Sequence, residues 1–416
     1  MALNTHIVSD LHDIASHPSL AVASHPAAKE KHRISVCHIV AGDAWAGAEV
    51  QVTGLLKYLS RDPDLSVHAV ALSDSRFASE LQACGIDVCV LPRNRNSFWQ
   101  IVRACNNFVT SRQVSILHSH KYEGNIISSL VAHRARIPHL VRTAHGCAEP
   151  YSPFRQPKHW IALRLDHLCT DWKAEHVIAV SSEMAQYYPR FLAKGTISVI
   201  RNGVDRELVS SPLTSTEAKM KLGLRAQHFV IGTVGRLEPI KRHDLFIATA
   251  RRVADQVPDA RFLIAGSGRQ LTLLRKLVSE AGLKGSFDLL GGREDIYDVV
   301  RAMDVLLICS DHEGLPTTML EAMVLGVPVV ARRVGGIPEV IEHRLNGLLI
   351  SSSDPDDLAA ACVELHRFQN LRRRLAENAS RLAQIYSAER MAEKVAHLYR
   401  FLQTQRADSY RHSWNN

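Results

Sequence analysis

The sequence predicts an α/β protein with two doubly wound, Rossmann-like domains that face each other across a cleft. The 416 residues are enough for two or three domains of ordinary size. Short β-branched apolar segments alternate with longer helical patterns from residue 34 almost to the end. The alternation pauses at Asn202-Gly203-Val204-Asp205, a turn sequence that precedes a Ser/Thr/Pro-rich segment. That pause indicates a linker between two domains.

Four segments follow from this division. Residues 1–32 are rich in Ser, His, Ala and Pro and lack the basic start and continuous apolar stretch of a signal peptide, so we expect a disordered extension. We expect a first domain over 33–205 and a second over 206–385. Residues 386–416 are expected to form a helix that crosses back to the first domain, followed by a frayed polar tail.

The elements of the first domain follow from its apolar pattern. Strands are predicted at 34–40, 67–72, 86–91, 115–118, 138–144, 176–180 and 196–200. Helices are predicted between them at 48–60, 76–84, 98–111, 124–136, 158–173 and 182–192. This alternation predicts a parallel sheet that is covered by helices on both faces.

The second domain has the same alternation of predicted strands and helices. Strands are predicted at 229–234, 260–265, 286–290, 304–308, 327–331 and 347–350. Helices are predicted at 241–256, 268–283, 295–302, 318–325, 336–343 and 356–379, with a closing amphipathic helix at 387–403. Doubly wound sheets bind ligands at the carboxyl ends of their strands, so we expect the site in the crevice between the domains.

Composition excludes several classes of protein. The net charge of +8 is not gathered into a basic stripe and aromatic residues are only 6%, so no nucleic-acid partner is expected. The eight cysteines form no C-x-x-C pair, which argues against a zinc site. No window holds the roughly 18 apolar residues of a membrane span, so any membrane contact should be peripheral. We expect a cytoplasmic protein, with possible contact at the inner face of the membrane.

The strongest chemical signal is a basic loop in the second domain. Strand 229–234 continues into Gly-Arg-Leu-Glu-Pro-Ile-Lys, so Arg236 and Lys241 flank a strand-to-helix loop. Backbone N–H groups and the helix dipole also favour an anion there. Two cations at this place can hold a diphosphate and stabilise its charge as it departs. The alternative is a solvated helix start, with Lys241 and Arg242 as surface charges.

A second segment, EGLPTTMLE, begins at Glu313. Pro316 marks a helix start, so the amides of the first turn can bind a phosphate without a cation. Glu321, one turn further, can accept hydrogen bonds from the two vicinal hydroxyls of a ribose. Two alternatives remain: Thr318-x-x-Glu321 matches a capping box, and Glu313 can be an ordinary solvated carboxylate.

Glycines and histidines at strand ends are weaker signals. Gly266-Ser267-Gly268 lacks the third glycine of a dinucleotide fingerprint, so it favours a tight turn. Gly335-Gly336 also favours a tight turn, which would precede the predicted helix at 336–343. The glycine loop around Gly47 follows the first strand and is a candidate to close over phosphates. His120 and His145 lie at the ends of strands, on the side of the crevice.

No metal and no cofactor are expected. Asp62-Pro63-Asp64 lies in a surface turn, and Asp354-Pro355-Asp356 has the pattern of a helix cap. Neither resembles a carboxylate pair that holds Mg²⁺ on a diphosphate. If the protein cleaves a sugar nucleotide, Arg236, Lys241 and helix amides must replace the metal.

Taken together, the motifs resemble a known family. GRLEPIK, FLIAGSG, EGLPTTMLEAMVLGVPVVA, VGGIPEVI and NGLLI resemble the retaining glycosyltransferases of family 4, which have the glycosyltransferase B-type fold. The match spans most of 34–405 and is most specific over 229–350, where two glutamates have the family's separation. One departure is Trp45-Ala46-Gly47, where many members carry a pair of glycines.

The resemblance implies a function and roles for residues. The reaction would be metal-independent, retaining transfer from a UDP-, GDP- or ADP-sugar to a saccharide or lipid-linked acceptor, in bacterial envelope or exopolysaccharide assembly. The first domain would handle the acceptor and the second domain the donor. Implied catalytic residues are Glu313, near the transferred carbon, and His145, beside the donor sugar and acceptor hydroxyl. Implied donor-binding residues are Gly47, Arg236, Lys241, Thr317, Thr318, Met319 and Glu321, with His120 on the acceptor side.

Two other functions remain open at this point. A sugar-nucleotide epimerase of the same fold would bind the same donor without an acceptor. A non-catalytic sugar-nucleotide-binding module would bind it without reaction. Basic and aromatic residues in 154–173 would permit contact with a lipid-linked or anionic acceptor, or they belong to an ordinary packed helix.

Overall fold

Two parallel β-sheets organise the chain from Arg33 onward. The computed structural model describes residues 33–43, 45–146, 157–188 and 195–413, with the backbone alone over 406–413. Among these residues, no helix is long and apolar enough to cross a membrane.

The first sheet has seven strands in the order β3-β2-β1-β4-β5-β6-β7. They are β1 Ile34–Val40, β2 Leu65–Ala71, β3 Asp87–Val90, β4 Ile116–His120, β5 His139–Ala144, β6 His176–Ala179 and β7 Thr196–Val199. The helices around it are α1 Gly47–Leu59, α2 Arg76–Ala83, α3 Phe98–Ser111, α4 Lys121–Arg134, α5 Pro157–Lys173 and α6 Ser182–Tyr187. The strand order reverses between β1 and β4, which opens a crevice at their carboxyl ends.

The second sheet has six strands in the order β10-β9-β8-β11-β12-β13. They are β8 Phe229–Val234, β9 Ala260–Ala265, β10 Phe287–Gly291, β11 Val305–Ile308, β12 Val329–Arg332 and β13 Leu348–Ile350. Its helices are α7 Ser215–Lys221, α8 His243–Ala254, α9 Leu271–Glu280, α10 Ile296–Arg301, α11 Thr317–Val324, α12 Pro355–Arg367 and α13 Gln369–Leu382. Here the order reverses between β8 and β11.

A final helix, α14 (Ala388–Ser413), returns to the first domain. The chain crosses at Val204, whose N–H donates to the Tyr386 carbonyl and whose carbonyl accepts from the Ala388 N–H. Gly203 permits this crossing, because a Cβ there would lie 2.2 Å from the Ser387 oxygen. Tyr399 of α14 is fully buried in the core of the first sheet. The predicted fold class, with a helix that crosses back, is therefore confirmed.

Two predicted helices of the second domain are wrong in detail. The helix predicted at 336–343 is a single 3-10 turn at Ile337–Glu339, because the preceding glycines pack against another loop instead of starting a helix. The helix predicted at 356–379 is divided at Phe368 into α12 and α13. The break lets α12 pack on α8 while α13 packs on α11.

Two further differences lie at segment ends. Part of the predicted linker forms α7, which starts with a capping box between Thr214 and Glu217. The backbone of α14 stays helical to Ser413, so the tail predicted to fray after residue 403 is helical for ten more residues. Asp354 caps α12 by accepting the Asp356 N–H, as its pattern predicts.

Candidate active site

The predicted site residues meet at the carboxyl ends of the strands that flank the two crevices. Loops after β1 and β5 contact loops after β11 directly. A Cβ on Gly47 would lie 2.7 Å from the Thr317 hydroxyl oxygen, and one on Gly314 would lie 2.4 Å from the His145 carbonyl oxygen. The fold therefore brings the first-domain and second-domain motifs together.

Two helix N-termini converge at this contact. Helix α1 begins at Gly47 and α11 begins at Thr317, and neither start has a side-chain cap, because the N-cap residues are Ala46 and Pro316. The first-turn amides of both helices therefore have no side-chain acceptor, and both helix dipoles favour negative charge. Such a junction suits an anion with several oxygen atoms.

Lys241 is held by a buried carboxylate. Its Nζ donates to Glu313 Oε1 over 2.6 Å, and Ser310 Oγ donates to the same oxygen over 2.6 Å. Glu313 is only 8% exposed. The alternatives of a surface charge at 241 and a solvated carboxylate at 313 are both wrong. Gly335 packs against the backbone of Glu313, since a Cβ there would be 1.8 Å from the Glu313 carbonyl oxygen.

Arg236 differs from its basic neighbours Lys241 and Arg242 in its surroundings. It is exposed, and within the described part of the chain its guanidinium makes no hydrogen bond or ion pair. Arg242, in contrast, is paired with Asp244 and Asp311. Gly266 packs closely against the basic loop that contains Arg236, since a Cβ on Gly266 would be 1.8 Å from the Gly235 carbonyl oxygen. The Gly-Ser-Gly turn is therefore a packing element of the basic loop.

Glu321 of α11 is a buried carboxylate. It is 5% exposed, and its side-chain oxygens accept no hydrogen bond from any residue that the structure describes. Burial raises the pKa of its carboxyl to about 7. The capping-box explanation is wrong, because α11 starts at Thr317 with Pro316 as its uncapped N-cap. A ligand with hydroxyl groups can satisfy this carboxylate.

The other predicted residues of α11 differ in exposure. Thr317 is buried against Gly47, and Thr318 is partly buried. Met319 is fully buried, with its side chain in the hydrophobic core. Only the backbone N–H of Met319 can therefore act in binding, as the resemblance implies.

The two predicted histidines contact each other. His120 Nδ1 lies 2.9 Å from His145 Nε2, and His120 Nε2 lies 3.0 Å from His38 Nδ1. Burial lowers the pKa of His145 to about 3, with a smaller contribution from the charge of Lys121. The imidazole of His145 is therefore neutral at physiological pH, so it can exchange hydrogen bonds but carries no charge.

Several residues of the site have no clear signal in the sequence. Ser310 orients Glu313. Asn202 links the domains by donating from Nδ2 to the Leu315 carbonyl over 2.7 Å. Glu339 accepts the Ser182 N–H over 2.6 Å in a second link. Asn202 and Glu339 act through contacts that are distant along the chain, whereas Ser310 lies close to Glu313 in sequence.

One group of side chains in the described ranges has the spacing of metal ligands. Nitrogens of His38, His118 and His120 lie within 4.8 Å of one another. These nitrogens already contact each other, Tyr399 and Thr143. The absence of a metal from the reaction stays a prediction.

Models of two protein families match the chain. The model described as group 1 glycosyl transferases matches residues 214–382, and the model of glycosyltransferase family 4 matches residues 45–208. The chain belongs to glycosyltransferase family 4. It is therefore a retaining glycosyltransferase that takes its sugar from a nucleotide-sugar donor.

Two individual proteins that are similar to this chain are glycosyltransferases too. A UDP-Gal:alpha-D-GlcNAc-diphosphoundecaprenol alpha-1,3-galactosyltransferase of Escherichia coli is 30% identical over 259 residues, 60% of this chain and 66% of that protein. A D-inositol 3-phosphate glycosyltransferase of Saccharomonospora viridis is 27% identical over 74% of this chain and 75% of its own length. The alignment with the first of these spans about two thirds of its length.

A solved structure shows the same fold. Anabaena HepE, in complex with UDP and glucose, is 23% identical with a TM-score of 0.76, over 88% of this chain and 99% of that one. At this identity the likeness shows the glycosyltransferase B-type fold alone.

Proposed function

We propose that this glycosyltransferase moves a hexose from a UDP-sugar to a hydroxyl of a lipid-linked saccharide, with retention of configuration and without a metal. The uridine base is supported by the names of two similar proteins, one acting on UDP-Gal and one solved with UDP. In this proposal the second domain, over 206–385, holds the donor. The first domain, over 33–205, presents the acceptor.

The observation that carries the proposal is Glu321, a buried carboxylate with no hydrogen-bond partner in the described part of the chain, on a helix whose uncapped start meets that of α1. A buried carboxylate without hydrogen bonds destabilises a fold, so such a group indicates a role in binding or catalysis. The ribose hydroxyls of a nucleotide supply two donors to one carboxylate. In this proposal the first-turn amides of α11 and α1 bind the diphosphate that is attached to this ribose.

The chemistry follows from the charges around that diphosphate. Arg236 and Lys241 stabilise the negative charge that grows on the diphosphate as its bond to the sugar breaks. Glu313 fixes the Lys241 ammonium and, as the family resemblance implies, lies near the transferred carbon. The neutral His145 hydrogen-bonds to the sugar, and the departing phosphate takes the acceptor proton.

A donor panel tests this function. The protein in EDTA is incubated with UDP-, GDP- and ADP-hexoses, with and without acceptor extracts, and free nucleoside diphosphate and products are measured. We expect acceptor-dependent release of UDP and slow hydrolysis without acceptor. An epimerised donor without acceptor would support the epimerase, and binding without any turnover would support the binding module.

The lipid-linked acceptor is supported by an exposed stripe on α5. Four apolar side chains on one face of this helix are exposed: Ile161, Leu165, Leu168 and Trp172. Basic side chains that are exposed on α5 and next to it are Lys158, Arg164, Arg134 and Arg136. An apolar stripe with basic neighbours suits the surface of an anionic membrane.

Vesicle binding tests this surface. We expect the protein to sediment with phosphatidylglycerol vesicles at low salt and not with phosphatidylcholine vesicles. The double variant Leu165→Glu/Leu168→Glu should lose this binding. Leu273→Glu, at an equally exposed leucine of α9, is the matched control and should retain it. Equal binding by all three proteins would exclude α5 as the membrane contact.

A further inference from the structure

A line of hydrogen-bonded side chains runs through the first domain to the cleft. In order, its members are Thr143, His118, Tyr399, His38, His120 and His145, which we call the histidine chain. The successive contacts measure 2.7, 2.5, 3.0, 3.0 and 2.9 Å. All members except the last are buried, and Tyr399 comes from α14, at the far end of the sequence.

The histidines of this chain are neutral. Burial lowers the pKa of His38 to about 3, as it does for His145, and lowers the pKa values of His118 and His120 well below their ordinary value. A neutral imidazole has one N–H and one bare nitrogen. Each histidine that accepts at one nitrogen must therefore donate at the other. If the Tyr399 hydroxyl hydrogen also has an acceptor within the chain, Tyr399 donates to one histidine and accepts from the other, and the chain has only two possible directions.

The two ends of the chain decide between these directions. In the described part, the Thr143 hydroxyl hydrogen-bonds with His118 alone, and the buried Nδ1 of His145 has no hydrogen-bond partner. If Thr143 donates, every hydrogen of the chain has an acceptor except one on His145 Nδ1. In the opposite direction, the Thr143 hydrogen has no acceptor and His145 Nδ1 is a buried bare nitrogen. One unmatched group is less costly than two.

We propose that the histidine chain fixes the neutral tautomer of His145 with its proton on Nδ1, as a hydrogen-bond donor to a hydroxyl oxygen of the bound sugar. This inference rests on the proposed function for the presence of a sugar beside His145. Thr143 and Tyr399 are then positioning residues, because they act on the sugar only through His145. The crossing helix α14 thereby takes part in the site of the first domain.

Nitrogen NMR tests the tautomer directly. In protein labelled with ¹⁵N-histidine, two-bond correlations distinguish Nδ1–H from Nε2–H, and His145→Gln identifies the signals of His145. We expect a single Nδ1–H tautomer in the wild type. Thr143→Val keeps a β-branched residue in the strand but removes the donor, so it should mix the two tautomers. Thr143→Ser should restore the wild-type signals, and Tyr386→Phe, which removes a hydroxyl outside the chain, should leave them unchanged.

Activity gives a second measurement. We expect kcat/KM to fall about tenfold in Thr143→Val, as for one lost hydrogen bond, and to recover in Thr143→Ser. A wild-type Nε2–H tautomer, or identical signals in Thr143→Val, would overturn the inference. Stoichiometric metal on these imidazoles in the purified protein would overturn it too. If no nucleotide sugar supports transfer, the proposed function fails while the tautomer result still stands.

Discussion

Replacing Glu321 by glutamine should make the unliganded protein more stable and its nucleotide binding weaker. Burial raises the carboxyl pKa from 4.5 to about 7, so the folded state retains a proton that the unfolded state loses between these values. The wild-type free energy of unfolding therefore falls as pH rises through this window. At about 1.4 kcal/mol for each pH unit, the loss above pH 7 is about 3 kcal/mol.

Glutamine has nearly the same shape and no charge, so Glu321→Gln should avoid this loss. We expect its Tm at pH 8 to exceed that of the wild type by several degrees, and the two to agree at pH 4.5. UDP should stabilise the wild type strongly and the variant less, with affinity reduced about 10- to 100-fold, because hydrogen bonds to a charged group contribute about 1.5–3 kcal/mol.

Thermal unfolding across pH 4.5–8.5, with and without UDP, measures both effects. Glu280→Gln, at an exposed glutamate of α9, is the matched control and should change neither. A Glu321→Gln protein that follows the pH dependence of the wild type would refute the burial argument. Undiminished stabilisation by UDP would refute the assignment of Glu321 to the ribose.

Three more predictions concern neighbouring residues. Lys241→Met should reduce transfer at least about 100-fold, because it removes a cation that stabilises the leaving group and leaves the Glu313 carboxylate buried without its cationic partner. Lys276→Met, on the exposed surface of α9, is the control for kinetic assays. Gly47→Ala should weaken UDP binding, measured by calorimetry, because its Cβ meets the Thr317 hydroxyl, and Thr317→Ala in the same chain should recover part of the loss. Gly335→Ala should lower both Tm and activity, since the new Cβ would collide with the Glu313 carbonyl and the residue has a φ of +58°. Gly282 has a φ of +68° but open space around the Cβ position, so Gly282→Ala should lower Tm by the backbone effect alone and leave kcat/KM unchanged.

Much of the fold could be predicted because local patterns determine it. The strands β1, β8 and β9 have their predicted bounds, since each is a short segment rich in apolar and β-branched residues that begins directly after a polar residue. The division of α12 from α13 at Phe368 could not be predicted from the sequence, because it depends on which neighbouring helix each of the two packs against. Parallel sheets also explain why motifs after strands converge, whatever their distance in sequence.

The meeting of site residues was predictable where each residue follows a strand of the same parallel sheet. Lys241 and Glu313 each follow a strand of the second sheet, so their meeting follows from the sheet order. The contact of His38 with Tyr399 joins residues 361 positions apart, on β1 and α14, and neither has a local pattern. The capping interpretation of Glu321 was wrong because the spacing of a capping box does not show where the helix begins.

Calorimetric titration in EDTA, with UDP and with uridine, tests the central claim most directly. Arg236 is the suitable residue to change, because it is exposed and pairs with none of the residues that the structure describes, so Arg236→Ala should not disturb the fold. We predict that the wild type binds UDP well without a metal, and that Arg236→Ala loses about 10- to 100-fold in UDP affinity while its affinity for uridine is unchanged. A requirement for Mg²⁺ in UDP binding, or an unchanged preference for UDP over uridine in Arg236→Ala, would contradict the claim that this basic loop holds the diphosphate.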